Sequence, residues 1–322
     1  MQQPIADLHC DLLCYLERDP VHRTEMDPEA KCSIPQLQKG GVVFQTLAVF
    51  TETRNGSSLE GSRQFALFQK LLQKHSSELH PLHKGPFKPI TIAASIENGS
   101  SLIEEDEKFD VCLIRLEKMQ KEAGPILYIS LTWNTENRFG GGNASSIGLK
   151  RDGEILLEFL HKKKIAIDLS HTSDHLAHDI LNYIDKKNLD VQPIASHSNF
   201  RKIAPVPRNL SDEIAREIIR RKGMIGINFV RFFVGQEPSD FLKQVNHGIE
   251  LGGEKALCFG ADFFSEIDIP PELMPYKPAF FAGFDQSGCY PKLLELLKTK
   301  FPEPFLKDLA HRNLQNFLAT TF

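Results

Sequence analysis

The chain has 322 residues, 41% of them hydrophobic and 25% charged, with a formal net charge of −4. That is ordinary globular composition, with enough chain to bury most of its unfolded surface and no basic footprint for nucleic acid. No apolar run approaches the roughly 18 residues of a membrane span, and the scattered cysteines (Cys10, Cys14, Cys32, Cys112, Cys258, Cys289) contain no CxxC, so neither a membrane protein nor a zinc ribbon is indicated. The first apolar run starts near residue 5, too early for a signal peptide, and a reducing, cytoplasmic compartment is expected.

Eight apolar, β-branched runs follow one another along the chain. They are IADLHC (5–10), VVFQTLAVF (42–50), ITIAASIE (90–97), ILYISLTW (126–133), IAIDLS (165–170), PIASHS (193–198), MIGINFV (224–230) and ALCFGADF (256–263). Near-continuous apolar character suits strands buried on both faces of a parallel sheet. Between them lie stretches of helical spacing, such as GEILLEFLHKKK (153–164) and SDEIAREIIRRKG (211–223), the second opening on Ser211 as an N-cap. A further helix should start at Ser173, leaving His171 in the loop before it. Eight strands alternating with helices predict an α/β fold of the TIM-type (β/α)8 barrel class, with metal-dependent hydrolase architecture and a single catalytic domain over residues 1–322. An open doubly wound sheet is the alternative, but no GxGxxG fingerprint follows the first strand. GGGN (140–143) reads as a flexible loop, residues 264–288 as a long Pro-rich loop, and FLKDLAHRNLQNFL (305–318) as a closing helix.

Barrel active sites are built at the C-terminal ends of the strands. There the first run offers His9 and Asp11, the third Glu97, the fifth Asp168 and His171, the sixth His197 and the eighth Asp262. Along a strand His9 and Asp11 share a face, because side chains alternate with period two. Any one of these residues alone reads as a hydrogen-bonded core group. The whole set, sharing one position in its strands, reads as a metal centre. Its division is natural: His9 and Asp11 for one ion, His171 and His197 for another, and Glu97 as the bridge. Mixed N/O ligation suits two Zn²⁺ ions per chain, bridged also by a water or hydroxide. Many binuclear barrels bridge with a carboxylated lysine on the fourth strand, and ILYISLTW has none.

The motifs resemble the membrane dipeptidase (renal dipeptidase) family of binuclear zinc metallopeptidases along essentially the whole chain. IADLHCDL looks like its opening HxD strand, and SIENG like its bridging-glutamate motif. IAIDLSHTS and PIASHSNFRKIAPVPRNLSDE are similar to its two metal-histidine motifs, and CFGADFFSEID to its last-strand aspartate motif. The resemblance implies a metallo-dipeptidase that takes small-molecule dipeptides, with or without a C-terminal D-residue, in a family whose members are often homodimers; charge and hydropathy predict no nucleic-acid or membrane partner. It assigns His9, Asp11, Glu97, His171 and His197 to the metals, Asp262 to proton transfer, and Arg208 to the substrate carboxylate. Arg208 paired with Asp212 at a helix start, and Asp262 as a hydrogen-bonded structural carboxylate, are the competing readings. Asp168 stands behind the ligands or is held by backbone amides.

Two departures bear on the substrate. Where the family's fourth strand ends in a histidine, this chain has SLTWN, so Trp133 Nε1 or Asn134 is left to contact the substrate. Phe264 replaces a second acidic residue after Asp262. These departures keep two rivals open: an amidohydrolase acting on a non-peptide amide or lactone, and a catalytically silent member that binds metal or peptide.

Overall fold

A computed structural model of the chain describes residues 2–321 except 84, 268, 270–273 and 275. Its strands are β1 (Ile5–Cys10), β2 (Val42–Phe50), β3 (His80–Pro81), β4 (Thr91–Glu97), β5 (Ile126–Ser130), β6 (Ala166–Asp168), β7 (Pro193–Ile194), β8 (Ile225–Ile227) and β9 (Leu257–Phe259). They form one sheet in the order β7-β6-β5-β4-β2-β1-β9-β8, with β3 paired beside the start of β4. The named pairs are parallel, and an Ala195–Ile225 bridge joins the ends of the path. At that seam Ala195 N donates to Met224 O and Gly226 N to Ala195 O, each at 2.8 Å. The sheet therefore closes into the expected eight-stranded barrel, and the open-sheet alternative is removed.

Two apolar layers explain why it holds. One cluster takes residues from every barrel strand or its first flanking position, including Ala6, Leu8, Phe44, Ala93, Tyr128, Ala166, Ile194, Met224 and Cys258. It is the barrel interior, plugged by Leu314, Phe317 and Leu318 of the helix Asn313–Thr321. The larger cluster lies between sheet and helices. The helix Asp174–Lys187, for example, buries Leu176, Ala177, Ile180, Leu181 and Ile184, the 3.6-residue pattern of a helix on a sheet. Its cap is Ser173, whose Oγ accepts from Leu176 N at 3.0 Å, and Ser211 does the same for Ile214 N at 3.3 Å. Both helices start where the sequence places them.

Two expectations are revised. The last four strands are two or three residues long, because beyond them backbone N–H groups turn away from the ladder to side chains such as Asp168. GGGN is packed rather than flexible: Gly140, Gly141 and Gly142 are buried, and a Cβ on Gly142 would lie 1.8 Å from Trp133 O. The closing helix runs where the sequence places it, with one π-helical stretch, Asp308–Arg312, between Glu303–Lys307 and Asn313–Thr321. Of the Pro-rich loop expected at 264–288, residues 268, 270–273 and 275 lie outside the described residues. No described helix is long and apolar enough to cross a membrane.

Candidate metal centre

His9, Glu97, His171, His197 and Asp262 are all buried at the C-terminal mouth of the barrel, and Asp11 is partly so. Glu97 ends β4 and stands at the centre. Its Oε2 lies 3.1 Å from His9 Nε2, while its Oε1 lies 2.9 Å from His171 Nε2 and 3.6 Å from His197 Nε2. The two carboxylate oxygens thus face two different histidine groups, the geometry of a bridge. Asp11 Oδ1 and Asp262 Oδ1 each lie 3.7 Å from His9 Nε2. Two groups of converging ligand atoms result: His9, Glu97 and His197, and His9, Asp11 and Asp262.

What each imidazole does on its far side decides what it offers on the near one. Tyr128 OH donates to Leu8 O at 3.0 Å, so at its 2.7 Å contact with His9 Nδ1 it accepts. Asn134 Oδ1, an acceptor only, sits 2.9 Å from His171 Nδ1. Ser196 Oγ donates to Asp168 Oδ2 at 2.7 Å and accepts from His197 Nδ1 at 2.6 Å. This network assigns the Nδ1 proton to all three rings and leaves their Nε2 atoms aimed inward. His171 Nε2 and His197 Nε2 then meet at 3.0 Å, lone pair against lone pair. His9 Nε2, Asp11 Oδ1 and Glu97 Oε2 are buried without a hydrogen-bond partner. Buried polar atoms left in this state call for a cation, and the donor set fits zinc.

The charge balance agrees. Burial pushes His171 down to about 4, with Arg208 adding to it, and burial, then His9 and Arg208, hold His197 well below the usual imidazole value. Both are neutral donors at physiological pH. Burial opposes charge on Glu97, but His9, His171 and His197 outweigh it and hold the carboxyl well below its usual range. Burial likewise opposes a charge on His9, yet Tyr128, Glu97 and Asp11 hold its pKa well above the ordinary value. A proton there occupies the place a metal would take.

Asp262 is different. Burial pushes it up to about 7, with His9 opposing and Asp11 and Glu97 reinforcing. Its Oδ2 accepts from Asn228 Nδ2 at 2.8 Å, and the same amide reaches His197 O at 3.1 Å. Asp262 and His171 both hold left-handed backbone, φ 62° and 66°, which non-glycine residues adopt at a cost of roughly 1–2 kcal/mol. Arg208 is buried beside them. Its Nη1 donates to Ser198 Oγ at 2.8 Å and its Nη2 to His197 O at 3.0 Å, while Nε has no partner. The competing partner Asp212 is 2.8 Å from His247 instead. Asp168 accepts from Ser170 N, Ser196 N and the Ser130 and Ser196 hydroxyls, so it is both amide-held and one link behind His197. Trp133 stands at the rim, its ring 6.0 Å from His171, whereas Asn134 spends its side-chain oxygen behind that ligand.

One premise is corrected. His9 and Asp11 do not converge by strand alternation: the register shifts between Asp7 and Cys10, and Asp11 is already the N-cap of the helix Leu12–Arg18. Asp7 causes the break. Its carboxylate accepts from His9 N at 2.8 Å, Gln45 Nε2 at 3.1 Å, Ala261 N at 3.0 Å and Tyr290 OH. Burial pushes that carboxyl up despite those bonds. Asp7, Tyr128, Asn228 and Ser196 went unnoticed in the sequence. Their signal was a polar residue inside an apolar run, which a strand pattern absorbs.

An uncharacterised protein of Klebsiella pneumoniae is 31% identical over 157 residues, 44% of this chain, and the chain spans about half of that relative, 56%. An uncharacterised dipeptidase of Schizosaccharomyces pombe is 24% identical over 99% of this chain and 81% of its own length. A metallopeptidase of Rhodobacter sphaeroides, solved with a phosphinate mimic of the dipeptide L-Ala-D-Ala, has the same fold, with a TM-score of 0.82 at 18% identity over the whole of both chains. The model of the membrane dipeptidase family, peptidase family M19, matches residues 1–321, and the chain belongs to that family.

Proposed function

We propose that the protein is a metal-dependent dipeptidase holding two Zn²⁺ ions, with His9 and Asp11 on one, His171 and His197 on the other, and Glu97 between them. The carrying observation is the convergence of three imidazole Nε2 atoms on the two oxygens of one buried carboxylate. When bound, zinc polarises a carbonyl and lowers the pKa of water to about 7. The remaining work falls to the chain. Arg208, braced by Ser198 and His197 O with Nε free, grips the substrate's terminal carboxylate as a planar fork. Asp262 takes a proton from the attacking water at Oδ1 and passes it to the leaving amine, while Asn228 holds Oδ2 and so its orientation. The Schizosaccharomyces relative carries the name dipeptidase, and the Rhodobacter peptidase holds a dipeptide mimic; both support the reading.

Unpaired thiols at all six cysteines support a cytoplasmic setting, and the family resemblance supports a homodimer, which native mass measurement tests. The deciding assay is hydrolysis of L-L and L-D dipeptides by metal-loaded and chelated protein, with metal content measured. Turnover that depends on metal is expected. None from protein carrying two ions per chain sinks the proposal in favour of a non-peptide amide.

A further inference from the structure

We infer that Phe50 and Trp133 form the subsite for the substrate's N-terminal side chain and select an apolar, above all aromatic, residue there. The inference rests on the dipeptidase reading, with Arg208 on the carboxylate. Phe50 ends β2 as the register partner of Glu97, so the two side chains leave the sheet on the same side. Trp133 follows β5. Its ring meets Phe50 edge-on at 5.2 Å, with 61° between planes, and both residues are only half-buried. Since β4 lies between β2 and β5, the pair forms a shelf above Glu97. In the closed order β4 and β8 are four steps apart either way round, so they face each other across the barrel. Arg208 lies on the connection between β7 and β8, 5.5 Å from the ring of Phe233.

A dipeptide anchored at Arg208, with its scissile carbonyl over the ligand cluster, therefore runs away from β8 toward the wall above β4. Its N-terminal side chain meets the indole and the phenyl ring. Neither ring carries charge, and the indole offers a single N–H donor, so the shelf rewards apolar area and ring contact. Trp133 is the only tryptophan in the chain, so its emission reports this subsite without competition.

The experiment pairs two readouts on the full, metal-loaded chain. One is kcat/KM for dipeptides with a common C-terminal residue and Phe, Leu, Ala or Gly in front. The other is indole emission during titration with non-hydrolysable Phe-leading and Gly-leading phosphinate analogues. Phe-leading substrate should exceed Gly-leading by about tenfold, chiefly through KM, the size expected of an aromatic contact with its buried area. Trp133→Ala should bring that ratio to within about twofold of unity, and Trp133→Phe should keep most of it. The Phe-leading analogue should shift the emission. A ratio that survives Trp133→Ala, or emission indifferent to a bound Phe-leading analogue, overturns the subsite while leaving the dipeptidase reading standing. Shifted emission with no dipeptide cleaved does the reverse. Neither cleavage nor shift removes both.

Discussion

At the closed end of the barrel, Ala6, Leu8, Phe44 and Ala93 meet Leu314, Phe317 and Leu318, and packing alone accounts for them. At the C-terminal mouth of the barrel, His9, Glu97, His197 and Asp262 are buried to a similar degree. Both ends are dry, but dryness works differently at each. On the floor it is the source of stability, since apolar area leaves water there. At the rim it is a cost, because each polar atom must find a partner or remain unpaired. The rim settles it asymmetrically: the outward atoms of its histidines are tied to Tyr128, Asn134 and Ser196, and the inward ones are left for a cation. Floor and rim should therefore fail separately.

Asp262→Asn tests that separation most severely. Turnover should fall by about 10²–10⁴-fold, the usual worth of a general acid–base group, with zinc content by elemental analysis unchanged. Full activity in the variant would remove Asp262 from the proposed mechanism. At the other end, Phe317→Ala should cost roughly 3–5 kcal/mol in urea unfolding while metal affinity holds, because it opens a cavity in the floor. Loss of metal without loss of stability would break the comparison.

Asp168→Asn probes the layer behind the ligands. Removing the charge that holds Ser196 should weaken zinc by about 10–100-fold in a competitive chelator titration, with little change in the unfolding midpoint of the chelated protein. The smallest effect is pH-dependent. In metal-free protein Asp262 titrates at about 7, above its unfolded carboxyl value, so the folded state binds the extra proton. This group's contribution to stability therefore falls as pH rises from the carboxyl range toward 7. A cation nearby favours the ionised form, so zinc should raise the melting temperature by a few degrees more at pH 7.5 than at pH 5. Asp262→Asn should shrink that difference, and an equal shift at both pH values in the parent protein refutes it.

The candidate ligands were legible because metal chemistry restricts residue type, and barrel topology restricts where on a strand such residues stand. His171 and His197 each follow a short apolar run, and that pattern survives in one dimension. The supporting layer does not. Asn228 and Tyr128 occur inside MIGINFV and ILYIS, where a single polar or aromatic residue is unremarkable until the partner strand is known. Beyond the local bond from His9 N, the partners of Asp7 are 38, 254 and 283 residues away, so the sequence around it does not show what holds it as the residue that breaks β1. Nor does composition show that a glycine-rich stretch is pinned: Asn143 N donates to His171 O and Ser173 N to Gly141 O, contacts made only when two loops meet.

The join between β1 and β9 has a bearing on how the centre comes into being. Asp262 N donates to His9 O, and Asp7 pairs with Phe259, across some 250 residues of chain. Contacts so distant in sequence carry a large loop-closure entropy and form late in folding. Half a barrel would hold His9, Asp11 and Glu97 but neither His197 nor Asp262. A bound ion would thus report completion rather than template it: tight zinc binding should appear only with the last kinetic phase of refolding, when the ring of strands is already shut.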